Sequence, residues 1–215
     1  MSKSPLFMRL NEILESGNKQ MQDAPWENPE FYANWLVQTT YYCRHTTRLL
    51  ALCGALTPIE QQPMHNRFLK HAAEEKGHEN LTLLDIKNMG KEFADYPEAS
   101  ATQSFYQTQY YWIEHVHPYA FFGYILYLEA YAAKYGQAIT ARIQKAHGDK
   151  ATNFMRVHSE EDVDHVEKAL EQVEKFPPAI LKDIISNMEQ ANANYLQMLQ
   201  HCVDGVAKKK QKSAA

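Results

Sequence analysis

The chain has 215 residues, a formal net charge of −4, 45% hydrophobic residues and 22% charged residues, which suits a globular protein with one well-filled core. The mild negative charge gives no broad basic surface for nucleic acid, and Cys43, Cys53 and Cys202 have no paired spacing and read as reduced thiols. Met1–Pro5 precedes an amphipathic segment rather than a signal-peptide core, and the most apolar run, Tyr119 to Ala133, is short for a membrane span and carries Glu129. The expectation is a soluble cytoplasmic protein that binds neither nucleic acid nor membrane. One domain over residues 1–207 is followed by a basic tail, Lys208 to Ala215, read as solvated.

Helical periodicity dominates and no alternating strand pattern stands out, so the fold class is all-α. A first helix is expected from Ser4 to Ser16, with Leu6, Leu10, Ile13 and Leu14 on one side and Gly17 as its stop. Asn28 and Pro29 form a cap and first-turn pair for a long helix to Leu56. A third segment starts at Thr57-Pro58, meets Pro63, and runs through His71-Ala-Ala-Glu74-Glu75-Lys-Gly-His78 to Asn88, where Gly90 closes it. Further helices are expected over 99–116, 118–146, 150–175 and 179–206, separated by His117-Pro118, Gly148-Asp149 and Pro177-Pro178.

Three of these helices carry metal-ligand residue types on faces that read as buried. With His158 as zero, the roughly 100° helical step puts Asp162 near +40° and His165 near −20°. Phe154, Met155, Ala169 and Val173 extend the same stripe, while Glu160 and Asp164 point away. Ionisable groups on a buried stripe need partners, because unpaired ones in a core are costly. On the third segment, taken as one continuous helix, His71, Glu74, Glu75 and His78 share an arc flanked by Phe68 and Met89. Glu129 is a lone carboxylate in Tyr119-Ala-Phe-Phe-Gly-Tyr-Ile-Leu-Tyr-Leu-Glu129-Ala-Tyr-Ala-Ala133. Mixed imidazole and carboxylate, in more positions than one tetrahedral zinc needs, suits two iron or manganese ions in a bundle core.

Glu75-x2-His78, then Glu129, then His158-x3-Asp162-x2-His165 resembles the heme-oxygenase-like diiron oxidases and oxygenases. That group includes an alkene-forming fatty-acid decarboxylase and N-oxygenases, and shares its fold with heme oxygenase, the TenA proteins and PqqC. The resemblance implies a compact bundle of about seven helices and a dimetal site that activates dioxygen, with Glu75, His78, Glu129, His158, Asp162 and His165 as ligands. It implies two iron ions (or manganese), no heme, and dioxygen and a small organic molecule as partners; a homodimer is the default. In that family the upstream acid stands three or seven residues before the histidine. Here the position seven before is His71, so Glu75 is preferred, with Glu74 next.

Blander readings accompany each of these residues. The α-helical His-Asp-His stripe can be a buried hydrogen-bond network, Glu75 and His78 a surface pair, and Glu129 the partner of Arg48 or another cation. His71 and Glu74 are placed behind the ligands or at the rim, and Asp85 is assigned to helix capping or solvation. Tyr106, Tyr110, Trp112, Tyr124 and Tyr127 are assigned to the core, one or two of them lining a cavity. His45 reads as a satisfied core histidine. A heme oxygenase is disfavoured because the first histidine is His45, in the second helix. A TenA-type hydrolase is disfavoured because no cysteine lies between Cys53 and Cys202. A metal-free PqqC-like enzyme and a non-enzymatic metal-holding protein remain the alternatives.

Overall fold

The computed structural model describes residues 4–213, and for 160–165, 167, 168 and 208–213 it leaves the side chains undescribed. Asp162, His165 and the basic tail residues therefore lie outside the described side chains. Eight α-helices follow one another among the described residues: α1 (Pro5–Asp23), α2 (Pro29–Leu56), α3 (Gln62–Glu74), α4 (His78–Asn88), α5 (Ser100–Tyr111), α6 (Phe122–His147), α7 (Asn153–Val173) and α8 (Pro178–Ser213). Short 3₁₀ turns and one π-turn, Trp112–Val116, join them, and no described residue is in a strand.

The starts follow local rules. Ser4 Oγ accepts from the Phe7 N–H ahead of Pro5, and Asn28 Oδ1 accepts from Glu30 and Phe31 ahead of Pro29. Each cap satisfies backbone donors that the first helical turn leaves open. Two stops differ from expectation. α1 runs through Gly17, whose missing side chain lets Leu196 of α8 approach where a Cβ would lie 3.1 Å from it. The third segment is two helices, because Gly77 takes φ +93° and ends the run between Glu75 and His78.

Two helices form the centre. The stretch Phe31 to Thr40 of α2 is buried on all sides, as is most of α6 from Phe122 to Tyr127, the pattern of a helix without a solvent face. α6 packs against α1, α7 and α8, while α2 packs against α3, α4, α5 and α8. Phe121, Phe122, Trp26, Trp35 and Phe154 belong to a buried apolar cluster that joins the two groups. The described residues contain no helix long and apolar enough to cross a membrane. Cys43, Cys53 and Cys202 are unpaired.

Candidate metal centre

The break at Gly77 brings Glu75 and His78 together by a turn rather than by a continuous helix. The His78 N–H donates to the Glu75 carbonyl at 3.3 Å, and His78 Nδ1 lies 3.3 Å from Glu75 Oε2. His158 arrives from α7, its ring edge-on to that of His78 with centroids 4.9 Å apart. Glu75, His78 and His158 each offer one ligand atom, and these lie within 4.8 Å of one another. All three are partly buried.

A second half adjoins the first through Glu75. His71 Nε2 lies 3.5 Å from Glu75 Oε1 and 3.5 Å from Glu129 Oε1. Glu129 is 8% exposed, and its Oε2 has no hydrogen-bond partner among the described residues. Such an orphaned carboxylate oxygen is costly in a protein interior and calls for an explanation. Here it fits a cation bound beside His71. Arg48 is not that cation: its guanidinium donates to the Arg44 carbonyl on α2. The cation whose field reaches Glu129 is Arg67, stacked over Phe122 at 5.2 Å.

The electrostatics follow from this packing. Burial raises the Glu129 carboxyl to about 7, against the pull of His71 and Arg67. Burial also opposes charge on Glu75, but hydrogen bonds from His71 and His78 outweigh it and hold that carboxyl well below the usual range. His71 is raised: burial lowers it, and the Glu75 and Glu129 carboxylates overcome the burial. The centre thus holds one firmly ionised carboxylate between two imidazoles, and a second carboxyl that ionises with difficulty without added positive charge.

His158 is oriented from within its own helix. Its Nδ1 lies 2.9 Å from the Phe154 carbonyl; a carbonyl only accepts, so Nδ1 carries the proton and the basic lone pair is on Nε2. The first turn of α7 is in turn fixed by Asp85 of α4. That carboxylate accepts from Asn153 N at 3.0 Å, Asn153 Nδ2 at 2.7 Å and Phe154 N at 2.9 Å. The capping role expected for Asp85 is thus played on another helix.

Other expected residues are placed as follows. Glu74 turns outward to Lys70 at 3.4 Å. His71, expected behind the ligands or at the rim, sits between the two carboxylates. His45 accepts or donates a 2.9 Å hydrogen bond with the Tyr110 hydroxyl and stacks on Tyr106, and it does not line the cavity. Asp162 and His165 lie outside the described side chains. Arg67 went unnoticed in the sequence, although it stands four residues before His71, hence on the same face.

A cavity of about 110 Å³ opens from the cluster into the space between α2 and α6. His71, Glu75, Glu129 and His158 form part of its wall, and aromatic and aliphatic side chains from α1, α2, α6, α7 and α8 form most of the rest. Cys43 is on the wall, its thiol pushed far up by burial and by Glu75 and Glu79.

Solved structures with the same fold cover nearly all of the chain. A domain of unknown function with a heme oxygenase-like fold from Shewanella denitrificans OS217 superposes with a TM-score of 0.85 at 20% identity, covering 100% of this chain and 97% of that one. A TenA homolog from Pseudomonas syringae pv. tomato DC3000 gives 0.77 at 11% identity, with 94% of each chain covered. A TenA homologue from Pyrococcus furiosus gives 0.66 at 13% identity, covering 89% of this chain and 98% of that one. No curated relative matches. The sequence profile of the iron-containing redox enzymes matches residues 33–192, a span that includes all four helices of the centre. The all-α, heme oxygenase-like chain belongs to the iron-containing redox enzyme family.

Proposed function

We propose that this protein is a dimetal oxidase or oxygenase that uses iron and dioxygen to oxidise a small organic substrate. The observation that carries the reading is the pair of adjoining donor sets sharing Glu75: one with His78 and His158, the other with His71 and the orphaned carboxylate of Glu129. Imidazole and carboxylate donors suit iron or manganese better than a closed structural zinc site. Asp162 and His165, four and seven residues beyond His158 on α7, complete the proposed ligand set.

Bound iron would supply the binding and reductive activation of dioxygen. The chain supplies the rest. Glu75 presents one oxygen toward each donor set. The Phe154 carbonyl holds the His158 ring with the basic lone pair on Nε2, the atom that would bind a metal. Glu129 ionises when positive charge arrives, releasing its proton at the carboxyl oxygen, as metal uptake at such ligands requires. The apolar wall excludes water from the substrate space.

A metal-free TenA-like hydrolysis is the second reading, favoured by the two TenA homologues among the fold neighbours and by Cys43 on the cavity wall. It is weaker, because a thiol pushed up by burial is mostly protonated at neutral pH and a poor nucleophile. The deciding experiment is anaerobic loading with Fe(II), desalting, metal content by ICP-MS, and oxygen uptake on exposure to air. Retention of about two irons per chain, lost in the double variant H78A/H158A, is expected. Wild-type retention no greater than that of the double variant overturns the proposal. Iron without oxygen uptake replaces it with a metal-holding role.

A further inference from the structure

Tryptophan and tyrosine rings give up an electron far more readily than phenylalanine, and a run of them leads away from the candidate metal centre. The Phe154 ring lies 4.1 Å from that of His158, between centroids, and the Trp35 ring of α2 lies 6.1 Å from Phe154. Trp35 Nε1 donates to the Tyr195 hydroxyl of α8 at 3.2 Å. From Tyr195 the next ring is Tyr131 of α6 at 6.1 Å, and from Tyr131 it is Tyr135 at 4.9 Å. Separations of this size are those of rings in contact. Trp35, Tyr131 and Tyr195 also form part of the cavity wall, so they stand beside the space assigned to the substrate.

The far end of the run differs from its middle. A phenol that has lost an electron is a strong acid, so a tyrosine yields its electron easily only where its proton can leave too. The Tyr135 hydroxyl lies 3.5 Å from Glu15 Oε1 of α1, a side chain 59% exposed. Lys134 Nζ donates to the same oxygen at 2.6 Å, and this pairing holds the Glu15 carboxyl below its ordinary value and therefore ionised. The other tyrosines that touch the run have no such base. Tyr32 stacks on Trp35 at 6.1 Å but donates to the Ala151 carbonyl, which cannot keep a proton. Tyr195 accepts from Trp35, and the hydroxyls of Tyr127 and Tyr131 have no partner among the described residues. For packing alone, phenylalanine at 131 would avoid the cost of a buried, unpartnered hydroxyl.

We propose, on the reading of the centre as an oxygen-using dimetal site, that Trp35 and Tyr135 form an electron relay between that centre and a one-electron reductant in solution. The relay acts when dioxygen has been reduced without substrate and an oxidising equivalent is left at the centre. Trp35 gives one electron to the centre by way of the Phe154 and His158 rings. Tyr135 returns one electron to Trp35 by way of Tyr131 and Tyr195, and its phenolic proton passes to the Glu15 carboxylate. A one-electron donor such as ascorbate then reduces the Tyr135 radical, and Glu15 gives the proton back. One electron and no net proton cross the protein, and no side chain of the cavity wall is left oxidised.

The first test needs no metal. Ultraviolet flash photolysis under nitrous oxide ejects an electron from tryptophan, and the tryptophanyl and tyrosyl radicals are followed by their separate absorption bands. Full-length, metal-free W112F is used, because its remaining tryptophans are Trp35 and Trp26, whose rings are 5.2 Å apart. The tryptophanyl band is expected to give way to a tyrosyl band at a rate independent of protein concentration. Y135F and E15Q, each added to W112F, are expected to lose most of the tyrosyl yield while unfolding at the same temperature as W112F. Y127F removes the hydroxyl of a ring that touches both Tyr195 and Tyr131, and it is expected to leave the yield unchanged. No transfer in W112F, or transfer that survives in both Y135F and E15Q, overturns the relay. In the second test, iron-loaded protein is mixed with oxygen in the absence of substrate and frozen for electron paramagnetic resonance. A tyrosyl signal is expected in wild type and not in Y135F, in which mass spectrometry should find more oxidised Trp35. The two readings fail separately. Transfer that depends on Tyr135 in a chain that retains no iron sinks the dimetal reading, whereas iron retention and oxygen uptake with transfer indifferent to Tyr135 sinks the relay alone.

Discussion

Replacing Glu129 by glutamine should stabilise the metal-free protein at alkaline pH while weakening its hold on iron. Glu129 is almost fully buried, and its carboxyl is raised by that burial from 4.5 to about 7. Ionising it in the folded chain therefore costs about 3 kcal/mol relative to ionising it unfolded. The sign follows from the direction of the shift. A raised carboxyl contributes stability that is complete below its unfolded value of 4.5 and is lost as pH rises through about 7. His71 is also raised, so its contribution falls in the same direction as it loses its proton. Glutamine cannot ionise, and it gives back about 1 kcal/mol through an amide that must find partners in the same pocket. A net gain of about 2 kcal/mol at pH 8 corresponds to a midpoint about 4–8 °C higher for a chain of this size. The assay is thermal unfolding of chelator-treated wild type and E129Q at pH 5 and pH 8, with iron retention measured in parallel. At pH 5 the two proteins should nearly coincide, and at pH 8 the variant should be the more stable but the poorer in iron. If E129Q is instead the less stable protein at pH 8, Glu129 is a structural partner of His71 and Arg67, not a ligand kept at a cost to the fold.

Two further substitutions probe how the centre is held. D85A should cost about 2–3 kcal/mol in urea unfolding, since it strands buried donors at the start of α7, and its iron retention should drop as well because His158 stands one turn beyond Phe154. An unchanged midpoint would show that water replaces the carboxylate there. G123A should cost about 3 kcal/mol or more, because a Cβ at that position would lie 2.2 Å from the Ile184 carbonyl where α6 crosses α8; a wild-type urea midpoint would refute the tightness of that crossing.

What could be read from the chain depended on whether the deciding interaction was local. Asn28-Pro29 announces the start of α2 because cap and first turn are neighbours in sequence. Gly17 and Gly77 look alike in a helical pattern, yet α1 runs through the first and the chain breaks at the second. The difference is set by the approach of Leu196 in one case and a left-handed backbone in the other, and neither is encoded in periodicity. Glu75, His78 and His158 stood out because ligand types recur at helical spacing beside apolar residues. His71 was ranked below them, since its place between Glu75 and Glu129 depends on how α3 meets α6. Asp85 was recognisable as a capping residue, but the helix it caps begins 68 residues later. Tyr124 was among the aromatic residues expected near a cavity and Tyr131 was not, and only packing separates them from Tyr127. Asp162 and His165 share one arc with His158 by helical spacing alone.

The pieces of the centre differ in how firmly the fold grips them. Glu129 rides on α6, which is buried along most of its length, so its position follows from the core itself. α4 is different, for it buries only Thr82, Asp85 and Ile86. Its attachments are mostly polar: the hydroxyls of Thr82 and Thr40 meet at 2.6 Å, tying it to α2, and Asp85 ties it to α7. Apolar burial is non-directional and tolerates small slides, whereas hydrogen bonds fix orientation through their geometry. His78 begins this helix immediately after the Gly77 turn, so its imidazole is aimed by a left-handed glycine at one end and an inter-helix cap two turns further on. That cap also sets the first turn of α7, from which His158 projects. One buried carboxylate thus aligns both histidines of the first donor set without touching either, which is why its loss should be felt in iron binding as well as in stability.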